Sequence, residues 1–251
     1  MAGSRSVQRA VQVLSLLAGK EGGRGGLTLS QISTALDIPK ASAFDIVHAL
    51  RATHFLQEDN RRFSIGFMAH EVGEAYEAQT GLCGVARSIL MRLADSMGLS
   101  TSLVFYEKGG LLYVLQCRPA DKVLAAAFEG STPYLHAAAS GKVMLAFMSD
   151  AKREKALKGL KFQKFTEKTL LTRRALDAEL QKVRAQGFAV DDREYEDLLT
   201  CVSAPLFSRN RLAAAVTISG VMLDETRIPA MAQAVREACE NIAQELDRKR
   251  A

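Results

Sequence analysis

Residues 27–66 read LTLSQISTALDIPKASAFDIVHALRATHFLQEDNRRFSIG and contain two short helical patterns followed by an alternating, basic segment. The first helix is predicted to begin at Thr28, because Gln31 follows three residues later and such a pair forms a capping box. Pro39 suits the first turn of a second helix, since its missing N–H has no partner there in any case. Residues 54–66 then alternate as two strands joined by a turn. This order of elements predicts a winged helix-turn-helix.

The second predicted helix has two different faces. Ala43, Val47 and Leu50 recur at helical spacing and form its buried stripe. The opposite face combines cations, an aromatic ring and an imidazole: Lys40, Phe44, His48 and Arg51. Because base edges and thymine methyl groups are exposed in the major groove of DNA, a helix of this kind is suited to reading a duplex.

The residues predicted to contact DNA come from this helix, from the helices before it and from the tip of the hairpin. They are Arg9, Thr28, Lys40, Ala41, Ser42, Phe44, Asp45, His48, Arg51, Arg61 and Arg62. Arg61 and Arg62 are expected at the tip of the hairpin, where they suit phosphate contacts. Asp45 counts against the prediction, because a carboxylate repels phosphates unless it accepts from cytosine N4 or pairs with a neighbour such as Arg9. The alternative is an ordinary α+β subdomain with solvated basic residues.

Length and charge favour two domains with different partners. A chain of 251 residues is long enough for a small domain and a mid-sized one, each with its own core. The net charge is +5, and residues 1–70 carry eight Lys or Arg against five Asp or Glu. The basic excess is therefore concentrated in the short N-terminal part, which favours a nucleic-acid partner there.

Targeting signals and metal-binding spacings are absent from the sequence. It has no 18-residue apolar run and no signal-peptide pattern, so we expect a cytoplasmic protein without a membrane partner. No Cys-x-x-Cys spacing occurs, so we expect reduced thiols and no cofactor. The scattered cysteines are Cys83, Cys117, Cys201 and Cys239. A zinc site built from a distant cysteine and His70 or His136 is a minor alternative.

Helical patterns flank the winged segment. An amphipathic helix is predicted over 4–18, with its apolar side formed by Val7, Val11, Leu14 and Leu17. After the hairpin, two helices are predicted with a break near Gly81, and the first of them is interpreted as a connector. The predicted domains are therefore 1–66 for the winged helix-turn-helix, 67–82 for the connecting helix and 83–251 for the remainder.

The remainder of the chain predicts an α+β domain in which strands are flanked by helices. The strand patterns are SLVFYE, LLYVLQC, VLAAAF, FAVDD, CVSAPLF and LAAAVTISG. Helices are predicted over 140–148, 173–186 and 228–248. Five or six strands with such helices are typical of a ligand-sensing domain.

Several motifs occur in a fixed order: SVQRAVQVLSLL, LTLSQISTALDIPKASAF, RRFSIG, PYLHAAASGKVMLAF, GFAVDDREY, CVSAPLF and AVTISG. In these motifs the chain resembles the IclR-type transcriptional regulators along nearly its whole length. The resemblance implies a winged DNA-binding domain and a GAF-like effector-binding domain, whose antiparallel sheet is flanked by helices. It also implies a homodimer or homotetramer that binds a double-stranded DNA operator. A small-molecule effector, such as a small organic or aromatic acid, would modulate that binding, and no catalysis is implied.

The resemblance further implies where the effector binds. The corresponding residues are Ala139, Ser140, Asp191, Leu199, Cys201, Thr217 and Ser219. A small-residue turn that enters a helix exposes N–H groups that favour an anion, and Ser140 suits a cap for that helix. Thr217 and Ser219 are two residues apart on a strand and so face the same side. Each residue also has a purely structural reading, as a cap, a small buried side chain or a turn.

The sequence departs from the family pattern at three places. Phe44 and Asp45 stand where an arginine and a leucine are usual, which suggests a different operator. Residues 198–200 replace a glycine-containing turn before Cys201, and the VLAAAF segment at 123–128 lacks a charged residue that is often present. The last two differences concern the pocket, so the resemblance leaves the identity of the ligand open.

Two other functions are alternatives. One is a constitutive DNA-binding protein with a vestigial sensor domain. The other is a hydrolase that uses Ser140 and Lys142 or a Cys201–His136 pair, although neither Gly-x-Ser-x-Gly nor Ser-x-x-Lys spacing is present. We expect four aromatic side chains to fill the core rather than to line an aromatic-acid pocket: Phe105, Tyr113, Phe128 and Tyr134.

Overall fold

The computed structural model describes residues 4–19, 22, 25–107, 109–119, 131–132 and 134–249. The chain divides between Thr80 and Gly81 into two compact units. The N-terminal unit contains a three-stranded sheet and the C-terminal unit a six-stranded sheet. Within the described ranges, no helix combines the length and apolar character needed to cross a membrane.

The N-terminal unit has the predicted order of elements. They are α1 (Arg5–Ala18), β1 (Leu27–Thr28), α2 (Leu29–Ala35), α3 (Lys40–Ala52), β2 (Leu56–Asp59), β3 (Arg62–Ile65) and α4 (Phe67–Thr80). The strands pair antiparallel in the order β1-β3-β2. The β2–β3 hairpin turns at Asn60 and Arg61, whose φ angles are both positive, at 50° and 59°, as in the tight turns that join two-stranded hairpins. The winged helix-turn-helix prediction is confirmed.

A small apolar core joins the helices of this unit to its hairpin. Its buried members are Val13, Leu17, Ile32, Val47, Leu56 and Phe63. On α3, Ala43 and Val47 are fully buried, as predicted. On α1, two members of the predicted apolar side, Val7 and Val11, are 62% and 51% exposed, whereas Val13 is fully buried. Half of the apolar stripe of α1 therefore lies outside this core.

The C-terminal unit is built on a sheet with helices on both faces. Its elements are α5 (Leu82–Met97), β4 (Ser100–Glu107), β5 (Gly110–Cys117), β6 (Ser131–Thr132), α6 (Ala139–Phe147), α7 (Asp150–Lys158), α8 (Arg173–Gln186), β7 (Ala189–Asp192), β8 (Leu199–Ser208), β9 (Arg211–Val221), a 3-10 helix (Glu225–Arg227) and α9 (Ile228–Arg248). The strand order is β6-β5-β4-β9-β8-β7, and all the pairs are antiparallel. The predicted α+β class is confirmed.

Alternation along the strands divides the side chains of this sheet between two cores. On the first face, called here the α5/α9 face, Val202 and Ile218 pack with helices α5 and α9. On the second, the α6/α8 face, Cys201 and Ala215 pack with helices α6 and α8. Neighbouring residues of one strand therefore contribute to different environments.

The sequence predicted most, but not all, of the helices and strands. Helices α8 and α9 match the predicted ranges, and the break between α4 and α5 lies at Gly81. Helix α7 was not predicted, because its sequence DAKREKALK has no continuous apolar stripe. The predicted VLAAAF strand at 123–128, with Phe128, lies outside the described residues.

Candidate DNA-binding and effector-binding sites

Helix α3 presents most of the residues predicted to contact DNA. Those accessible on it are Lys40, Ala41, Phe44, Asp45 and Arg51, with Ser42 and His48 half-buried. The ring of Phe44 lies against that of His48, with 4.0 Å between centroids. The His48 ring in turn lies 6.4 Å from that of Phe63 on β3, in an edge-on arrangement. These ring contacts connect the exposed face of α3 to the hairpin.

Two of the predicted DNA-contacting arginines also hold the unit together. Arg51, at the end of α3, forms an ion pair with Glu58 on β2. Arg62 lies on β3 rather than at the tip of the hairpin, and its Nη1 donates to the carbonyl of Gly26 at 2.9 Å. The prediction that Arg62 lies at the tip is therefore wrong, because the turn is formed by Asn60 and Arg61. Arg61 is the exposed cation at that turn.

The remaining residues predicted to contact DNA are Thr28, Arg9 and Asp45. Thr28 caps α2: its Oγ1 accepts from the Gln31 N–H at 3.3 Å, while Gln31 Oε1 accepts from the Thr28 N–H at 2.9 Å. The capping box is confirmed. Arg9 is half-buried on α1 and Asp45 is exposed. Among the ion pairs between described residues, none joins Arg9 to Asp45, so the carboxylate of Asp45 is not neutralised in that way.

On the α6/α8 face, four side chains form a row across four strands, called here the Asp191–Ser100 row. The register pairs Asp191 with Cys201, Cys201 with Ser219, and Ser219 with Ser100. Residues paired directly in an antiparallel sheet lie on the same face, so all four share one side. Asp191, Cys201 and Ser100 are buried, and Ser219 is half-buried. The row therefore brings three predicted effector residues together with a fourth, Ser100, that was not predicted.

A second row lies two residues further along the strands. It pairs Ser203 with Thr217 and Thr217 with Ser102. The Thr217 Oγ1 is 2.9 Å from the Ser203 Oγ, and the Ser203 hydroxyl lies 2.9 Å from the Val216 carbonyl oxygen. All three residues are buried. The hydroxyl of Thr217 is thus already part of a network within the sheet.

Helix α6 begins over the same face. Ala139 and Ser140 occupy its first turn and are each 1% exposed. The prediction that Ser140 caps this helix is wrong, because the helix begins at Ala139 and the cap position is occupied by Ala138 without a side-chain bond. The Ser140 Oγ instead lies 3.4 Å from the hydroxyl of Tyr113 on β5. Tyr113 packs against the core of the α6/α8 face, as predicted, and its hydroxyl lies next to Ser140.

A buried lysine ties α6 to strand β7. Lys142 is fully buried, and its Nζ donates to the Val190 carbonyl at 2.8 Å and forms an ion pair with Glu194. Glu179 on α8 lies 3.5 Å from the same Nζ. A buried charge of this kind requires partners on several sides. This role of Lys142 was not evident from the sequence, because its three partners are distant in the chain.

The carboxyl of Asp191 is held next to this ion pair. Its Oδ1 accepts from the backbone N–H groups of Glu194 at 2.7 Å and Tyr195 at 3.3 Å. Burial raises the pKa of Asp191 to about 7, although these N–H groups and Lys142 favour the ionised form. Burial also raises the pKa of the Cys201 thiol well above its ordinary value, so Cys201 is a neutral thiol.

Both units match models of known protein families. Residues 6–60 match the model of the IclR helix-turn-helix domain, and residues 74–244 match that of the bacterial transcriptional regulator IclR C-terminal domain. The chain belongs to the IclR family. It is therefore a transcriptional regulator with an N-terminal DNA-binding domain and a C-terminal effector-binding domain.

Similar proteins span nearly the whole chain. The HTH-type transcriptional regulator BhcR of Paracoccus denitrificans is 28% identical over 246 residues, which cover 96% of this chain and 87% of BhcR. The HTH-type transcriptional repressor AllR of Escherichia coli is 26% identical over 252 residues, covering 98% and 92%. An IclR homologue from Microbacterium hydrocarbonoxydans, crystallised with 4-hydroxybenzoate, has a TM-score of 0.85 at 21% identity and covers 97% of this chain and 99% of its own. The names of these regulators describe control of transcription and not catalysis.

The hydrolase alternative gains no support in this IclR-family chain. The His136 Nε2 lies 2.9 Å from the Gln163 carbonyl oxygen, and burial lowers the pKa of its imidazole. No hydrogen bond between described residues joins His136 to Cys201. The four cysteines are buried, and no group of three or more metal-binding side chains occurs in the described ranges.

The aromatic residues separate into different environments. Phe105 packs against the core of the α5/α9 face, as predicted. The Tyr134 ring lies 4.6 Å from that of Phe165 and 5.8 Å from that of Tyr195, which follows β7. This aromatic cluster lies beside the turn that holds Asp191.

Several polar residues on or beside the α6/α8 face were not predicted as effector contacts. They are Ser100, Ser102, Lys142, Glu194 and Ser203. The alternation of serine and threonine at the start of β4 was the available signal, but it does not indicate which strands are neighbours. Leu199, which was predicted, is 1% exposed and belongs to the core of the same face.

Proposed function

We propose that α3 enters the major groove of an operator with Lys40, Phe44 and His48 toward the bases. Arg61, at the tip of the hairpin, contacts a phosphate. The observation that supports this arrangement is the accessible polar face of α3 beside an exposed cationic turn. Arg51 and Arg62 already have partners within the unit, so each contributes less to DNA affinity than Arg61.

Fluorescence anisotropy with the upstream DNA of the protein's own gene and with a random duplex tests this proposal. At about 150 mM salt the upstream DNA should bind more tightly, because non-specific binding weakens steeply with salt. Lys40→Ala and Arg61→Ala should both weaken binding, and Arg61→Ala should lower the salt slope by about 1. Arg209→Ala, in the C-terminal unit, is the matched control. An unchanged slope in Arg61→Ala would remove its phosphate role.

We infer that the effector is a small organic acid bound on the α6/α8 face. Its carboxylate would lie at the start of α6 near Ala139 and Ser140, since N–H groups at a helix N-terminus favour anions. A second polar group would lie toward Asp191, with Leu199 as an apolar wall. The burial of Asp191, Cys201 and several hydroxyls on one face carries this proposal. The 4-hydroxybenzoate bound by the Microbacterium homologue supports the same ligand class.

The effector proposal is tested by measuring operator affinity with and without the acid. Ser140→Ala and Asp191→Ala should reduce the change that the acid causes, while the affinity measured without the acid stays the same. Ser88→Ala is the control, because its hydroxyl bonds only within α5, to Val85. Equal loss of operator affinity and of effector response would show that Ser140 and Asp191 are structural.

We propose that the chain acts as a homodimer, or as a tetramer of two dimers. The support is that the N-terminal unit exposes four large apolar side chains on α1 and α4: Val7, Val11, Phe67 and Val72. Exposed groups of this kind mark interaction sites, and a two-fold dimer would read half-sites about one helical turn apart or a multiple of it. Light scattering after gel filtration should show a smaller species for Val72→Glu. A monomeric wild-type chain would contradict the proposal.

Two further assignments are part of the same proposal. The six-stranded antiparallel sheet with helices on both faces supports a GAF-like classification of the C-terminal unit. Regulation of transcription requires access to DNA, so the cytoplasm is the proposed location. Cell fractionation with antibody detection would test it.

A further inference from the structure

The buried hydroxyl of Ser100 is explained neither by the fold nor by the proposed effector residues. It begins β4 and is 7% exposed, and its Oγ has no hydrogen-bond partner among the described residues. A buried hydroxyl without a partner is unfavourable, and alanine would occupy the same position without that cost. The next residue provides a contrast: Thr101 points to the other face, where its Oγ1 donates to the Leu90 carbonyl at 2.9 Å.

The strand register places Ser100 at the opposite end of the Asp191–Ser100 row from Asp191. Three steps between neighbouring strands separate the two residues, which amounts to roughly 14 Å. A hydrogen bond at each end takes about 2.8 Å, so a molecule that contacts both has polar atoms roughly 9 Å apart. A two-carbon acid is too short to make both contacts.

The charges in the row also restrict which chemical group such a molecule carries at its Ser100 end. The row contains one carboxyl group, that of Asp191, and the other three members are two hydroxyls and a thiol. A second carboxylate at the Ser100 end would have no cation in the row to pair with, and burying it there would be costly. A hydroxyl matches the Ser100 Oγ, because each group is able to donate and to accept.

We infer that Ser100 is a further effector-contacting residue, and that the effector is an elongated acid with a hydroxyl at the end remote from its carboxylate. Extended six-carbon hydroxy acids belong to this class, whereas 4-hydroxybenzoate is too short to reach both ends of the row. The inference rests on the proposed effector site and adds to it a length and a second recognition point. Ser100 is therefore a specificity-determining residue rather than a part of the core.

Isothermal titration calorimetry on the full chain tests the inference with 6-hydroxyhexanoate, D-gluconate and hexanoate as probes. Hexanoate matches 6-hydroxyhexanoate but lacks the remote hydroxyl. Ser100→Ala should weaken binding of a hydroxy acid roughly tenfold, because one hydrogen bond is lost. It should leave hexanoate binding unchanged. Ser88→Ala, on the outside of α5, is the matched control and should change neither.

The unfolding temperature of the ligand-free chain provides a second measurement. Ser100→Ala should not lower it, since the Oγ of Ser100 has no partner to lose among the described residues. A lower unfolding temperature would show a structural role and overturn the inference. Equal affinities of wild type and Ser100→Ala for the hydroxy acids would overturn it as well, while leaving the effector site itself intact. Failure of all three probes to bind the wild type would count against the proposed effector class and the inference together.

Discussion

The two faces of the C-terminal sheet bury different kinds of side chain. On the α5/α9 face the core is apolar, and its hydroxyl at Thr101 is bonded to the main chain of α5. On the α6/α8 face, the same strands bury Asp191, Ser203 and Thr217, and α6 adds Lys142. Because successive residues of a strand point to opposite faces, one strand supplies stability on one side and polar groups on the other.

The two faces differ in how their buried groups are stabilised. Polar groups on the α6/α8 face require compensation, which Lys142 obtains from Glu194, Glu179 and the Val190 carbonyl. The α5/α9 face requires less, because apart from the bonded Thr101 hydroxyl its contacts are mainly dispersion and hydrophobic burial. We therefore expect mutations on the α6/α8 face to alter ligand response, and those on the α5/α9 face to alter stability alone.

The largest effect is expected from Lys142→Met. Removal of one partner from a buried ion pair leaves Glu194 and Glu179 uncompensated, so the free energy of unfolding should fall by about 4 kcal/mol. Urea titration followed by circular dichroism measures it. Lys158→Met, an exposed lysine at the end of α7, is the control and should change stability by less than about 0.5 kcal/mol. A similar small change in Lys142→Met would show that the buried pair contributes little.

Ile242→Ala tests the comparison on the α5/α9 face. Ile242 on α9 is fully buried, and the cavity left by truncation should cost about 3 kcal/mol of unfolding free energy. Under conditions in which the variant is folded, its affinities for effector and operator should match those of the wild type. A changed effector affinity would mean that the two faces are not separate in function.

The pH dependence of the free energy of unfolding reports on the titration of Asp191. Because burial raises its pKa to about 7, the folded chain retains a proton that the unfolded chain releases between about pH 4 and pH 7. The stability contributed by this group is present at low pH and is lost as pH rises through 7. Between pH 5 and pH 8 the loss should be roughly 2 kcal/mol.

Asp191→Asn should remove this part of the pH dependence. In the variant, Glu194, whose pKa burial also raises, contributes a slope of the same sign, and His136, whose pKa burial lowers, contributes one of the opposite sign. Denaturant titrations at a series of pH values compare the two chains. Identical pH profiles for wild type and Asp191→Asn would show that Asp191 does not titrate in this range.

The smallest effect is expected from Thr101→Val on the α5/α9 face. The variant loses the hydrogen bond to the Leu90 carbonyl, at a cost of about 1 kcal/mol. Effector affinity should stay the same, in contrast to Ser100→Ala one residue earlier on the other face. A loss of effector affinity in Thr101→Val would contradict the assignment of the two faces.

Local signals in the sequence predicted most of the fold. Helix α8 was predicted over its observed range because an apolar stripe recurs at helical spacing, and Thr172 caps it. The capping box of Thr28 and Gln31 predicted where α2 begins. Helix α7 was missed because its charged sequence lacks an apolar stripe. On α1, Val7 and Val11 have the spacing of buried residues but are exposed, since periodicity does not show what covers an apolar stripe.

The candidate site was predicted less completely than the fold. Asp191, Cys201 and Ser219 were identified through motif resemblance, and the register places them in one row. Ser100 and Lys142 were missed, because their neighbours come from strands and helices far away in the sequence. Which residues face each other depends on strand order, and single-sequence patterns do not specify it.

Hydrogen–deuterium exchange with and without a mixture of 4-hydroxybenzoate and D-gluconate tests the division of the sheet most directly. Helices α5 and α9 lie on one face and α6 on the other, so each reports on a single face. We predict slower exchange in α6 when the acids are present and no change in α5 or α9. Unchanged exchange in α6, or slowing confined to α5 and α9, would contradict the account.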